Sequence, residues 1–181
     1  MRAIMVAIAA FAFMTNAPAQ SAAPQAEPLA RQTTSFDLIV HLPLAQTAPL
    51  FGPEGERAWA GSHWNPEFIY PKPPSDQQGA VFSIHHGPYT ATWVCTLFDL
   101  DARHFQYVYF LPGLMVTTID VRFKALNPDT TAVNVIYTRT AIAPEGNPHV
   151  AAMSEGERSA GADWQHAIDE YIARIGPTPK P

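Results

Sequence analysis

Residues 148–175 read PHVAAMSEGERSAGADWQHAIDEYIARI. Trp164, Ile168, Tyr171, Ile172 and Ile175 recur at steps of three and four, while Asp163, His166, Asp169, Glu170 and Arg174 fall on the other side. That spacing predicts a helix with one apolar stripe about 100° wide and one solvated face. The stripe is bulky only in its second half. The first half carries Ala151, Ala152, Gly156, Ala160 and Gly161, which predicts either close approach to a neighbouring layer or open space beneath the helix.

A run of strands precedes this helix. Residues 33–41 alternate, with Phe36, Leu38 and Val40 on one side and Ser35, Asp37 and His41 on the other, which is the period of a half-buried strand. Residues 43–51 are compact and apolar and predict a short helix broken at Pro49, with a further helical turn at 54–59. A short strand at 67–70 is followed by five more, at 80–86, 89–98, 104–111, 114–126 and 131–142. Each break carries Pro, Gly, Asn or Asp, the residues that make tight turns. Connections this short force antiparallel neighbours. In the longest strand Met115, Ile119, Val121 and Phe123 share one face, and Thr118, Asp120, Arg122 and Lys124 the other. In the last, Val133, Val135 and Tyr137 point inward. The fold class is therefore α+β: a curved antiparallel sheet of six or seven strands around one long C-terminal helix, with two short helices after the first strand.

The ends are of another kind. Arg2 precedes an unbroken apolar run at 3–14, and Ala17-Pro18-Ala19 has the small-x-small pattern of a cleavage site. Residues 1–19 read as a signal peptide cleaved after Ala19, which places the mature protein in the periplasm or outside the cell. The run is shorter than the roughly 20 residues a bilayer span needs, so no stable membrane insertion is expected. Residues 20–32, rich in Ala, Pro and Gln, form an expected flexible tether, the folded domain spans 33–176, and 177–181 are a Pro-rich tail. With 11 Lys and Arg against 16 Asp and Glu the net charge is -5, or -6 once Arg2 is removed, and no basic stripe exists. Nucleic acid is excluded as a partner on that ground.

Three local stretches stand out: Leu50-Phe51-Gly52-Pro53-Glu54-Gly55-Glu56-Arg57, Trp64-Asn65-Pro66-Glu67-Phe68, and Tyr137-Thr138 with Ala143-Pro144-Glu145-Gly146-Asn147. They resemble one bacterial branch of the SRPBCC superfamily, which includes START domains, Bet v 1-like proteins and polyketide cyclase-like proteins. The resemblance covers Thr33 to Ile175 and implies a helix-grip fold. It also implies a hydrophobic cavity between sheet and helix, used to carry lipids or other apolar molecules, or in some members to catalyse cyclisation or hydration. Many such proteins are cytoplasmic, and the leader here sets this chain apart from them.

The residues themselves name cavity candidates. Aromatic side chains on neighbouring strands, Phe82, Trp93, Tyr107, Tyr109 and Tyr137, suit an apolar pocket with a few polar tips. Trp64, with His63, sits on the loop at the expected cavity mouth. His85 and His86 are adjacent on a strand and point to opposite faces, so they do not share a metal. His86, in register with Phe82 and Ile84, is the inward one, although its place beside the Gly87-Pro88 turn suits a plain strand-end histidine. Arg139 shares the inward face of the last strand. A buried guanidinium needs a carboxylate, an anionic ligand head, or a bulge that turns it out. With no acid fixed opposite by the sequence, exposure at the strand end is expected first and a ligand carboxylate next. Glu54 and Glu56 flank Gly55 and read as capping and surface charge. Cys95, the single cysteine, reads as a small core residue. No hydrolase, phosphate-loop or dinucleotide signature occurs, and neither a cofactor, a metal nor a catalytic residue is assigned. The expected partner is a hydrophobic small molecule or lipid, bound by a carrier or turned over by a cyclase- or hydratase-type enzyme; a filled core with no ligand is the third reading.

Overall fold

The computed structural model describes residues 27–176. The leader, most of the tether and the 177–181 tail lie outside them. The element order is β1 (Arg31–Val40), α1 (Leu44–Thr47), β2 (Glu67–Tyr70), β3 (Val81–His86), β4 (Tyr89–Asp99), β5 (His104–Leu111), β6 (Met115–Asn127), β7 (Thr130–Ala141) and α2 (Asn147–Ile175). Three single 3₁₀ turns complete it, at Ala48–Phe51, Gly55–Ala58 and Pro144–Gly146. β1 starts at Arg31, inside the stretch read as tether.

The seven strands form one curved antiparallel sheet in the order β1-β7-β6-β5-β4-β3-β2. Strands β2 to β7 meander, and β1 closes the other edge by pairing along its whole length with β7, from Arg31 opposite Thr140 to Val40 opposite Thr131. The alternation read from the sequence sets which face is covered. Leu38, Val40, Phe82, Ile84, Phe105, Met115, Val133 and Val135 are all fully buried on the face that α2 covers. Each such side chain contributes about 1.5–3 kcal/mol through its removal from water.

The helix meets β1 and β7. Val150, Ser154 and Ile168 are its buried residues, and Trp164, Tyr171 and Ile172 are half-buried. Ile175, assigned to the stripe, is instead 51% exposed. The helix ends there: the Gly176 amide donates to the Ile172 carbonyl at 3.2 Å, and Gly176 takes φ +74°, a conformation that a side chain would strain. The small residues of the first half do two different things. A Cβ on Gly161 would lie 3.0 Å from the Phe36 Cβ, so glycine lets the helix touch β1. A Cβ on Gly156 would meet nothing within 4 Å. Close packing holds at one glycine and open space at the other, one and a half turns apart.

Candidate functional site

That open space is a cavity of about 350 Å³ between the sheet and α2. Its floor is Phe82 of β3, Trp93 of β4, Tyr107 of β5, Ile119 and Val121 of β6 and Tyr137 of β7. Its roof is Gly156, Ala160, Asp163, Trp164 and Ala167 of α2. The segment 53–64 closes one side with Pro53, Glu56, Trp59, Ala60, His63 and Trp64.

The 52–57 turn places a carboxyl in this apolar room. Asp76 pins the turn by accepting the Glu54 amide at 2.8 Å and the Gly55 amide at 3.2 Å. Only glycine fits at position 55, where a Cβ would come within 1.8 Å of the Pro49 carbonyl oxygen. In a 3₁₀ turn residues i and i+3 share a side, so Glu56 faces the same way as Trp59, and both line the cavity. Trp59 is itself fixed by its indole N–H, which donates to the Leu50 carbonyl at 2.7 Å. Glu56 is buried. Burial pushes its carboxyl well above the usual range, and the nearby charge of Asp76 pushes the same way. No donor among the described residues reaches the carboxyl: neighbouring Arg57 is held by Glu54, Asn65 and the Pro66 carbonyl.

The two tyrosines of the floor differ. Tyr107 donates to the Phe51 carbonyl at 2.9 Å, so its hydroxyl is engaged. The Tyr137 hydroxyl has no hydrogen-bond partner among the described residues. Burial pushes it well above the usual phenol range, and a charged Glu56 adds to that, so the two groups lie within electrostatic reach. Among the tryptophans, Trp64 donates to the Pro53 carbonyl at 2.9 Å, whereas the buried Trp93 N–H has no partner.

No family model and no curated protein matches the chain. Solved structures match it in shape. Norcoclaurine synthase from Thalictrum flavum, in complex with dopamine and hydroxybenzaldehyde, superposes with a TM-score of 0.60 at 13% identity, covering 83% of this chain and 91% of that one. Ara h 8.0201 gives 0.53 at 13%, covering 80% and 99%. CalU16 from Micromonospora echinospora gives 0.52 at 13%, covering 85% of each.

The chain has the Bet v 1-like helix-grip fold.

Within this helix-grip frame the candidates read from the sequence separate into two groups. Trp64, Phe82, Trp93, Tyr107 and Tyr137 come together on the cavity wall. His86, Tyr109 and Arg139 do not line it. Tyr109 stacks on Trp93 with centroids 4.4 Å apart and points its hydroxyl at the Met153 sulfur, 3.8 Å away. His86 faces the same side as Phe82 but stands exposed at the strand end, its ring 6.3 Å from that of Tyr109. One side of the ring is still covered, and that partial loss of water, followed by the charge of His63, lowers its pKa.

Arg139 corrects the expectation of strand-end exposure. It is buried, and its guanidinium pairs with Glu157 of α2, which also accepts the Thr34 hydroxyl. The partner lies 18 residues along the chain on another element, so strand alternation alone did not reveal it. Glu56 corrects the surface-charge reading, for it faces the cavity. The signal available in the sequence was its spacing of three from Trp59 inside a turn bounded by two glycines. Cys95 sits mid-strand and buried, and burial followed by the charge of Asp76 raises its thiol to about 12, which leaves it inert as a nucleophile.

Proposed function

We propose that this protein binds a hydrophobic small molecule or lipid in the cavity between sheet and α2, as an exported carrier. The observation that carries the reading is the pairing of an aromatic wall with an unfilled roof at Gly156 and Ala160. Pockets of this size and lining suit apolar ligands with few polar groups. The exported location rests on Arg2, the apolar run at 3–14 and Ala17-Pro18-Ala19. N-terminal sequencing of the mature protein tests it: Gln20 is the expected first residue.

Native mass spectrometry of protein purified from its own periplasm tests the cavity. The expected result is a bound apolar species that is lost when Ala160→Phe fills the roof and the fold is retained. A wild-type protein that carries no such species, or an Ala160→Phe protein that carries it unchanged, overturns the reading.

A second reading, a cyclase- or hydratase-type enzyme using the same cavity, is favoured by one observation. Four titratable groups, the Glu56 carboxyl, the Tyr137 hydroxyl, the His63 imidazole and the Asp163 carboxylate, line it without a hydrogen-bond partner among the described residues, and burial raises the pKa of Glu56 and Tyr137. A raised carboxyl pKa inside an apolar site is the property of a general acid. Turnover that disappears in Glu56→Gln while ligand binding persists distinguishes enzyme from carrier.

A further inference from the structure

Three groups that donate hydrogen bonds in their neutral forms face or border one apolar room and give their hydrogens to nothing. Glu56 and Tyr137 line the cavity without a hydrogen-bond partner among the described residues, and the buried Trp93 N–H is likewise unpaired. The Trp93 N–H is the one of the three that is shut away unpaired, at a cost of about 1–3 kcal/mol, whereas the Glu56 and Tyr137 oxygens open onto the cavity and are free to meet an acceptor that enters it. We propose that Glu56 and Tyr137 form a polar subsite that receives a carbonyl oxygen, and that the occupant is an uncharged, mostly apolar molecule carrying a ketone or aldehyde. The inference rests on the cavity reading above and adds the chemical class of the ligand.

Charge decides between this class and its rivals. A carboxylate ligand would enter a room that already holds Glu56 and, at its roof, Asp163; among the described residues the nearby arginines are taken, Arg57 by Glu54 and Arg139 by Glu157, which leaves the imidazole of His63 at the side wall as its one basic neighbour. An ammonium ligand would find Asp163 at the roof, but at the Glu56 end it would require that carboxyl to ionise in an apolar site beside Asp76, and it would bring the Trp93 N–H only a further donor. A carbonyl oxygen carries two lone pairs and takes two donors at once. Burial favours the protonated form of Glu56, which supplies one of them.

Fluorescence titration tests this with Prodan, an uncharged naphthyl ketone whose emission shifts when its carbonyl accepts a hydrogen bond. Dimethylaminonaphthalene, which lacks the ketone, and naphthylmethylammonium serve as comparators. The wild-type protein is expected to hold Prodan about tenfold more tightly than the ketone-free ring, with the emission of a hydrogen-bonded carbonyl. Glu56→Leu, checked for folding by circular dichroism, loses that advantage, and Tyr137→Phe loses part of it. Glu56→Gln, which restores a donor that cannot ionise, recovers most of it. The wild-type advantage fades as pH rises through the Glu56 titration, and that of Glu56→Gln does not. Equal binding of ketone and ketone-free ring, unaltered in Glu56→Leu, overturns the subsite and leaves the cavity reading standing. Failure of both rings to bind overturns the two together. Preference for the ammonium, growing with pH, overturns the subsite in favour of an ionised Glu56.

Discussion

Where α2 crosses β7, the carboxylate of Glu157 meets the Arg139 guanidinium and the Thr34 hydroxyl, whereas at the 52–57 turn the carboxyl of Glu56 meets no donor among the described residues. Both acids leave water on the same side of the same sheet. One brings its countercharge with it and locks the helix to the strands. The other is pushed by burial toward its neutral form and faces open space. A buried charge with a good partner is a structural device, and a buried acid without one is chemistry held in reserve. The aromatic neighbours follow the same division, since Tyr107 and Trp64 use their polar tips inside the protein while Tyr137 and Trp93 do not.

Breaking the paired acid has the largest expected effect. Arg139→Leu leaves Glu157 buried and uncompensated, and is expected to cost about 3–5 kcal/mol in urea unfolding. Replacing both partners, Arg139→Leu with Glu157→Leu, recovers most of that loss, because the penalty belongs to the stranded charge. Gly55→Ala tests the turn instead. Its Cβ would strike the Pro49 carbonyl, and the expected loss is about 2–3 kcal/mol, with Glu56 displaced from the cavity.

A smaller effect, of opposite sign, sharpens the contrast. The folded-state pKa of Glu56 is raised, so the stability it contributes is fully present below the ordinary glutamate range and is lost as pH rises through the folded value. Glu56→Gln is therefore expected to match the wild type near about pH 4 and to exceed it near about pH 8, by thermal unfolding at each pH. The smallest effect belongs to the indoles. Trp93→Phe gives up no hydrogen bond and is expected to stay within about 1 kcal/mol of the wild type apart from lost ring area, whereas Trp59→Phe strands the Leu50 carbonyl and costs about 1–2 kcal/mol more.

The sequence revealed the fold because period carries the information. The two-residue alternation of β6 and β7 and the stepped stripe at Trp164, Ile168 and Ile172 each name a face, and faces assemble in few ways. Of the eight cavity candidates, Phe82, Trp93, Tyr107 and Tyr137, chosen as aromatics on neighbouring strands, and Trp64, chosen from its loop, lie on the wall. What stayed hidden depends on contacts between elements. Arg139 is placed by an acid on α2: Glu157 stands seven residues before Trp164, on the side of the helix that the stripe marks, where a charged residue breaks the apolar pattern without naming its partner. Glu56 sits in a turn of polar appearance, where alternation has no meaning and only the spacing to Trp59 points inward. His86 and Tyr109 share the right face of the sheet, but they stand beyond the end of the cavity.

The most direct measurement is the titration of the Glu56 side-chain carboxyl by carbon-13 NMR, assigned by its disappearance in Glu56→Gln. The expected midpoint lies well above the ordinary glutamate range and moves further upward when an uncharged ketone occupies the cavity. A Glu56 carboxyl that titrates in the ordinary range, unmoved by any ligand, would contradict that expectation.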